Sequence, residues 1–173
     1  FLMKKNKIDV IEGFGKIMPN KIVKVINGDK SEELKSKNII IATGARSREI
    51  NSIPKDGKKI FGYREAMTLQ KQPKSIIIVG SGAIGVEFAY FYNSMGSKVT
   101  LIEYQDRVVP VEDHEISKQL QKSFQKKGIE VITNSEVILV EKKSRGISAK
   151  VVTNKKEQEI KADVLLSAVG IKS

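Results

Sequence analysis

The sequence has no cysteine and a single histidine. The first absence removes disulfides, thiolate metal sites and cysteine nucleophiles from this chain, and the second removes any histidine-rich metal site, so no metal is expected. No apolar run approaches the roughly 20 residues that a membrane-spanning helix needs. Tryptophan is missing and aromatics make up only 6% of the residues. The net charge of +11 comes mainly from lysines spread thinly along the chain, without an arginine cluster or interleaved aromatics. Such a pattern reads as a solvated lysine-rich surface, so neither nucleic acid nor a membrane is expected as a partner.

What is present is enough for a core. The chain has 173 residues, 40% of them hydrophobic, which is length for one good domain or for a domain with an appendage. Its centre is Ile76-Ile77-Ile78-Val79-Gly80-Ser81-Gly82-Ala83-Ile84-Gly85-Val86-Glu87. Four successive aliphatic residues suit a strand buried on both faces, as in a parallel sheet. Gly80 allows the strand to turn sharply, Gly82 has no side chain to hold a pyrophosphate off the backbone, and Gly85 lets the following helix pack close to the strand. The free amides and positive dipole end of that helix would face the phosphates. A helix over residues 83–95, a stop at Gly96 and a second strand, Lys98-Val99-Thr100-Leu101-Ile102-Glu103, complete the context. Glu103 stands roughly twenty residues after the glycines, where a dinucleotide site needs a partner for the adenosine ribose hydroxyls. A carboxylate there accepts from the two hydroxyls and would repel a 2′-phosphate, and Tyr104 and Gln105 beyond it are neutral. The reading is NAD and not NADP.

Elsewhere the pattern predicts strands over residues 8–11 with continuation to 18, over 21–26 and over 32–37, with Asn27-Gly28-Asp29 as a hairpin turn. Asn38-Ile39-Ile40-Ile41-Ala42-Thr43-Gly44 reads as a further buried strand ending on a small-residue turn. A connection follows, punctuated by Pro54, Gly57, Gly62 and Pro73, with a short helix over 63–70. After Glu103 an acidic helix start at Glu112-Asp113 leads to an apolar face of Ile116, Leu120 and Phe124, with Gly128 as its C-cap. Residues 129–132 read as a third parallel-type strand, and 136–142, 147–153 and 157–161 as a small antiparallel β-meander. Asp163 to Gly170 is a closing buried strand. The apolar opening at Phe1 and the absence of a helix after Gly170 are expected of a piece cut from a longer protein.

These residues resemble the flavin-dependent pyridine nucleotide-disulfide oxidoreductases, most closely the branch that oxidises dihydrolipoamide. The resemblance runs through Glu12-Gly13-Phe14-Gly15, Ile39 to Gly44, Pro73-Lys74-Ser75, Val79 to Glu87, Gly96 to Glu103, Asp106-Arg107, Glu115 to Lys118 and Ala162 to Gly170. It implies an α/β fold: a Rossmann-like three-layer parallel sheet with helices and a small antiparallel β-meander, plus strands from the end of a FAD-binding domain. Residues 1–48 would be the C-terminal portion of that FAD-binding domain and 49–74 a connecting segment. Residues 75–170 would be the NAD-binding domain and 171–173 the start of a link to further domains.

By the same resemblance the cofactors are NAD and FAD. Gly80, Ser81, Gly82, Ala83, Ile84 and Gly85 would hold the NAD pyrophosphate and Glu103 the adenosine ribose. Val137 would lie against the adenine, and Gly170 would approach the nicotinamide end. Glu87 would face nicotinamide and flavin, while Gly15, Thr43, Gly44 and Ala45 would approach FAD through main-chain atoms. The parent would pass electrons from protein-bound dihydrolipoamide to a disulfide, then to FAD and then to NAD⁺, as a cytoplasmic homodimer within 2-oxo acid dehydrogenase complexes. The redox cysteines and the acid-base histidine are expected outside these residues; His114, with Gln119 five residues on, does not stand in for the latter. Other disulfide reductases and NADH oxidases of the same superfamily stay open, as does a stand-alone basic binding module.

Overall fold

A computed structural model describes residues Phe1–Ser173. The chain divides into two compact units, Phe1–Thr43 and Gly44–Ser173. No helix is long and apolar enough to cross a membrane.

The first unit holds a short helix, α1 (Leu2–Lys5), and three strands, β1 (Phe14–Met18), β2 (Ile22–Asn27) and β3 (Lys30–Lys35). They form an antiparallel sheet in the order β1-β2-β3. The expected turn at Gly28 is present: Asn27 pairs with Lys30, and Gly28 has φ +59°, in the left-handed region that glycine occupies without strain. Two expectations fail. Residues 8–11 form no strand, and neither do residues 38–44, where Ile40 is 91% and Ile41 70% exposed. β-Branched runs favour strands only when a neighbouring ladder and a covering layer are available, and this unit's sheet contains β1 to β3 alone.

The second unit is a three-layer α/β structure. Its elements in order are β4 (Arg46–Ser47), β5 (Ile60–Phe61), α2 (Tyr63–Ala66), β6 (Ser75–Val79), α3 (Ala83–Ser94), β7 (Lys98–Ile102), α4 (His114–Lys126), β8 (Glu130–Ile132), β9 (Ser135–Lys142), β10 (Ile147–Thr153), β11 (Lys156–Ala162), β12 (Val164–Ser167) and β13 (Ile171–Lys172). A parallel sheet runs in the order β5-β12-β6-β7-β8, and β9 to β11 form an antiparallel meander. Successive side chains of a strand point to opposite faces, and β6 divides its aliphatic run accordingly. Ile76 and Ile78 join Ala89 and Tyr92 of α3 and Phe124 of α4 in one core. Ile77 and Val79 join Val137, Val140, Ile147, Ala149 and Val151 of the meander in a second. The run is continuous because both faces of the strand are covered.

Two helices differ from expectation. α2 stops at Ala66, short of residue 70, although Leu69 still packs on the helix-side core. In α4 the apolar face is Ser117, Leu120 and Phe124, and Ile116 is exposed. The cause is the preceding loop, which buries Val108 and Val109 beside the helix. Ser117 is the small residue that fits there, its Oγ donating to the Val109 carbonyl at 3.4 Å. Asp113 caps the helix, accepting from the Glu115 N–H at 2.8 Å. The two-strand pairing of β4 with β13 was not legible in the sequence; it joins Ser47 to Ile171 and Arg46 to Lys172.

Candidate functional site

The parallel strands β12, β6 and β7 end side by side, and the turn that leaves β6 sits between the other two. Gly80 has φ +96°, and a Cβ there would lie 2.6 Å from the Ala168 carbonyl oxygen after β12. Its N–H donates to the Ile102 carbonyl of β7 at 2.8 Å. A Cβ on Gly85 would strike the Gly80 carbonyl oxygen. Both glycines are therefore demanded by the protein's own backbone. Gly82 is different. It is the N-cap of α3 with φ −66°, a value open to any residue, and a Cβ there would meet nothing within 4 Å. Nothing inside the chain requires glycine at this position, and the space beside it is open.

Glu103 follows β7 and is buried. Its Oε2 accepts from the Ser81 N–H at 2.6 Å and from the Ser81 hydroxyl at 2.7 Å, and its Oε1 accepts from the Gln105 N–H at 2.8 Å. A buried carboxylate requires such donors. Ser81, itself fully buried, thereby ties the glycine turn to the end of β7. A carboxylate offers about four lone-pair sites, so the three internal bonds leave capacity for an incoming hydroxyl. The backbone of Glu103 is held too, its N–H donating to Ile132 and its carbonyl accepting from Ser135.

These groups border one cleft of about 650 Å³, within the range of small-molecule sites. The cleft gathers Gly80, Gly82, Glu103, Val137 and Gly170, five of the residues expected from the sequence. Ser81 lies beneath it, Ala83 is the exposed first residue of α3, Ile84 packs against the helix-side core, and Gly85 is buried under the turn. Glu87 stands on the exposed side of α3 without a hydrogen bond or ion pair, outside the cleft lining. Of the residues expected near FAD, Gly15 is in β1 and Thr43 ends the first unit, while Gly44 and Ala45 open the second. The carbonyl of Ala45 accepts from Arg64 at 3.2 Å.

Among the cleft residues that sequence reasoning missed are Arg48, Ile50 and Ser52. They come from the stretch read as a connection. Only the tertiary pairing of β4 with β13, continued by the Arg48 N–H donating to the Gly170 carbonyl at 2.9 Å, brings them to the rim.

Comparison with known proteins identifies the family. The family model described as "Pyridine nucleotide-disulphide oxidoreductase" matches residues 1–173. A dihydrolipoyl dehydrogenase of Rhizobium etli is 44% identical over 189 residues, covering 99% of this chain and 39% of the relative. Among solved structures, LpdA from Mycobacterium tuberculosis superposes with a TM-score of 0.82 at 26% identity, over 98% of this chain and 38% of the other. The HOCl-induced flavoprotein disulfide reductase RclA from Escherichia coli gives 0.74 at 27% identity, over 99% and 40%. The chain thus spans about two fifths of the length of the relatives it matches.

Proposed function

The chain belongs to the pyridine nucleotide-disulphide oxidoreductase family, and from that premise we propose that residues 75–170 are an NAD-binding domain serving a dihydrolipoyl dehydrogenase. The observation that carries the proposal is the open position at Gly82 facing the same cleft as the buried carboxylate of Glu103. The glycine is unexplained by internal packing, and the carboxylate is set for a ribose. Residues 1–48 belong to the closing part of a FAD-binding domain, 49–74 connect the two, and 171–173 begin the link onward. The whole protein oxidises protein-bound dihydrolipoamide, as a cytoplasmic homodimer within 2-oxo acid dehydrogenase complexes. A dihydrolipoyl dehydrogenase at 44% identity supports that substrate. The likeness to a disulfide reductase favours, as a second reading, a different dithiol or disulfide on the same fold.

When bound, the nicotinamide supplies hydride transfer and the flavin supplies electron exchange with a disulfide. The residues of this chain bind and orient. The amides at the start of α3 receive the phosphates with the positive end of the helix dipole. Glu103 accepts from the adenosine ribose and disfavours a 2′-phosphate, because a second anion beside a buried carboxylate is repelled. Val137 and Val169 offer apolar surface to the rings. Glu87 and the main chain at Gly15, Thr43, Gly44 and Ala45 are assigned to the flavin side.

Calorimetric titration with NADH and, separately, with NADPH is the test. Preference for NADH, lost in Glu103→Ala, supports the reading, and equal or absent binding of the two overturns it. The 173-residue chain, having no thiol, should show no lipoamide turnover.

A further inference from the structure

The cleft contains one feature that the dinucleotide reading does not use. Arg48 is the only cationic side chain among the residues that line it, and the other charged residues there are Glu103 and Glu136. Glu103 is occupied by Ser81 and Gln105. The guanidinium of Arg48 has neither a hydrogen bond nor an ion pair. Two other arginines of the unit are spent on the chain itself: Arg64 donates to the Ala45 carbonyl, and Arg107 donates to the Pro110 carbonyl and pairs with Asp106. Arg46 and Arg145, like Arg48, have no such partner, but neither lines the cleft. Nor is Arg48 on a free loop. The pairing of β4 with β13 precedes it, and its own N–H is tied to Gly170 at 2.9 Å.

Its side of the cleft follows from the strand order. In β12-β6-β7 the glycine turn occupies the middle, Glu103 ends β7 on one side, and Gly170 follows β12 on the other. Arg48 is fastened to Gly170, so Glu103 and Arg48 flank the glycine turn from opposite sides. A ligand laid across the turn with its ribose hydroxyls at Glu103 would present its phosphates between the α3 amides and this guanidinium.

We propose that Arg48 is the cation that pairs with the pyrophosphate of the bound dinucleotide, on the side of the turn away from the adenosine. The proposal rests on the dinucleotide reading above. Backbone amides and a helix dipole supply only partial charges, whereas a guanidinium supplies a full charge and a planar fork that bonds two phosphate oxygens at once. It also makes the site selective for a dinucleotide over a nucleoside, because the arginine is bonded only when a phosphate is present.

Arg48→Gln and Arg48→Lys in the 173-residue chain, checked for folding by circular dichroism, are titrated with NADH and with inorganic pyrophosphate at low and high salt. For Arg48→Gln we expect about tenfold weaker binding of both probes, the effect of losing one charge-assisted pair. The salt dependence of binding should shrink with it. Arg48→Lys should recover part of the loss, since it keeps the charge and not the fork. Unchanged NADH affinity in Arg48→Gln, with Glu103→Ala still losing the preference for NADH, overturns this proposal and leaves the dinucleotide reading standing. Failure of the unaltered chain to bind either probe overturns both.

Discussion

The molecule contains two three-stranded antiparallel meanders of similar local character, and they have different fates. β1 to β3 bury a single side chain, Val25, and expose Phe14, Ile17 and Ile26. β9 to β11 lay Val137, Val140, Ile147, Ala149 and Val151 against the parallel sheet, and all five are buried. Both meanders form their backbone ladders, that of β9 and β10 with one register shift between Lys150 and Val151. Hairpin pairing is therefore not what separates them. The difference is the covering layer, since the apolar face of a small sheet gains stability only when another element removes it from water.

That contrast is best broken at the centre of the parallel sheet. Ile77→Ala should cost about 2–5 kcal/mol, because the side chain is fully buried against the meander and its removal leaves a cavity. A urea titration would register this as a lower midpoint at unchanged slope. Gly85→Ala should cost about 1–3 kcal/mol or more, since the methyl meets a backbone carbonyl that has no rotamer to change. NADH binding should fall with it, and a variant that binds normally would show the turn to be more pliable than its packing implies.

A smaller effect should appear in acid. Asp56 Oδ1 accepts from the N–H groups of Lys58, Lys59 and Ile60, each at 2.9 Å, and Lys142 lies 3.4 Å from Oδ2. Burial raises its pKa, but these donors outweigh that and hold it at about 2, below the ordinary 3.8. Lys59 in turn donates to the Lys143 carbonyl at 2.7 Å, tying the β9–β10 turn to the loop before β5. Because the folded value is depressed, the stabilisation is present above the unfolded pKa and is lost as pH falls from about 3.8 through about 2. Asp56→Asn should flatten that part of the stability-against-pH curve, and an unchanged curve would remove Asp56 from the account.

The smallest change belongs to the first unit. Ile17→Ala, half-exposed in β1, and Ile41→Ser should each alter stability by no more than about 0.5 kcal/mol. Ile41→Ser should reduce self-association in light scattering, because it removes apolar surface that water now covers. A loss comparable to that of Ile77→Ala would mean that the two regions are less different than their burial indicates.

Much of this architecture is legible in the sequence. The glycine turn, the acidic residue after β7, the α/β class and the meander all follow from local rules: which residues can adopt a positive φ, and which spacings put apolar groups on one face. Ile76 to Val79 read as a doubly buried strand because no polar residue interrupts them. The same rule failed at residues 38–44, whose composition is equally apolar, since periodicity records what a segment could bury and not whether anything covers it.

The sequence by itself thus determined the turn chemistry at Gly80, Gly82 and Gly85, the carboxylate at Glu103 and the strand-helix alternation around them, because each depends on residues close in the chain. Only the tertiary structure decided that Ser81 holds Glu103, that Ser117 and not Ile116 faces the core, and that Arg48 reaches the cleft. Each of these rests on contacts between distant or differently oriented segments. Such contacts are selected by the packing of the whole unit, and no local propensity encodes them.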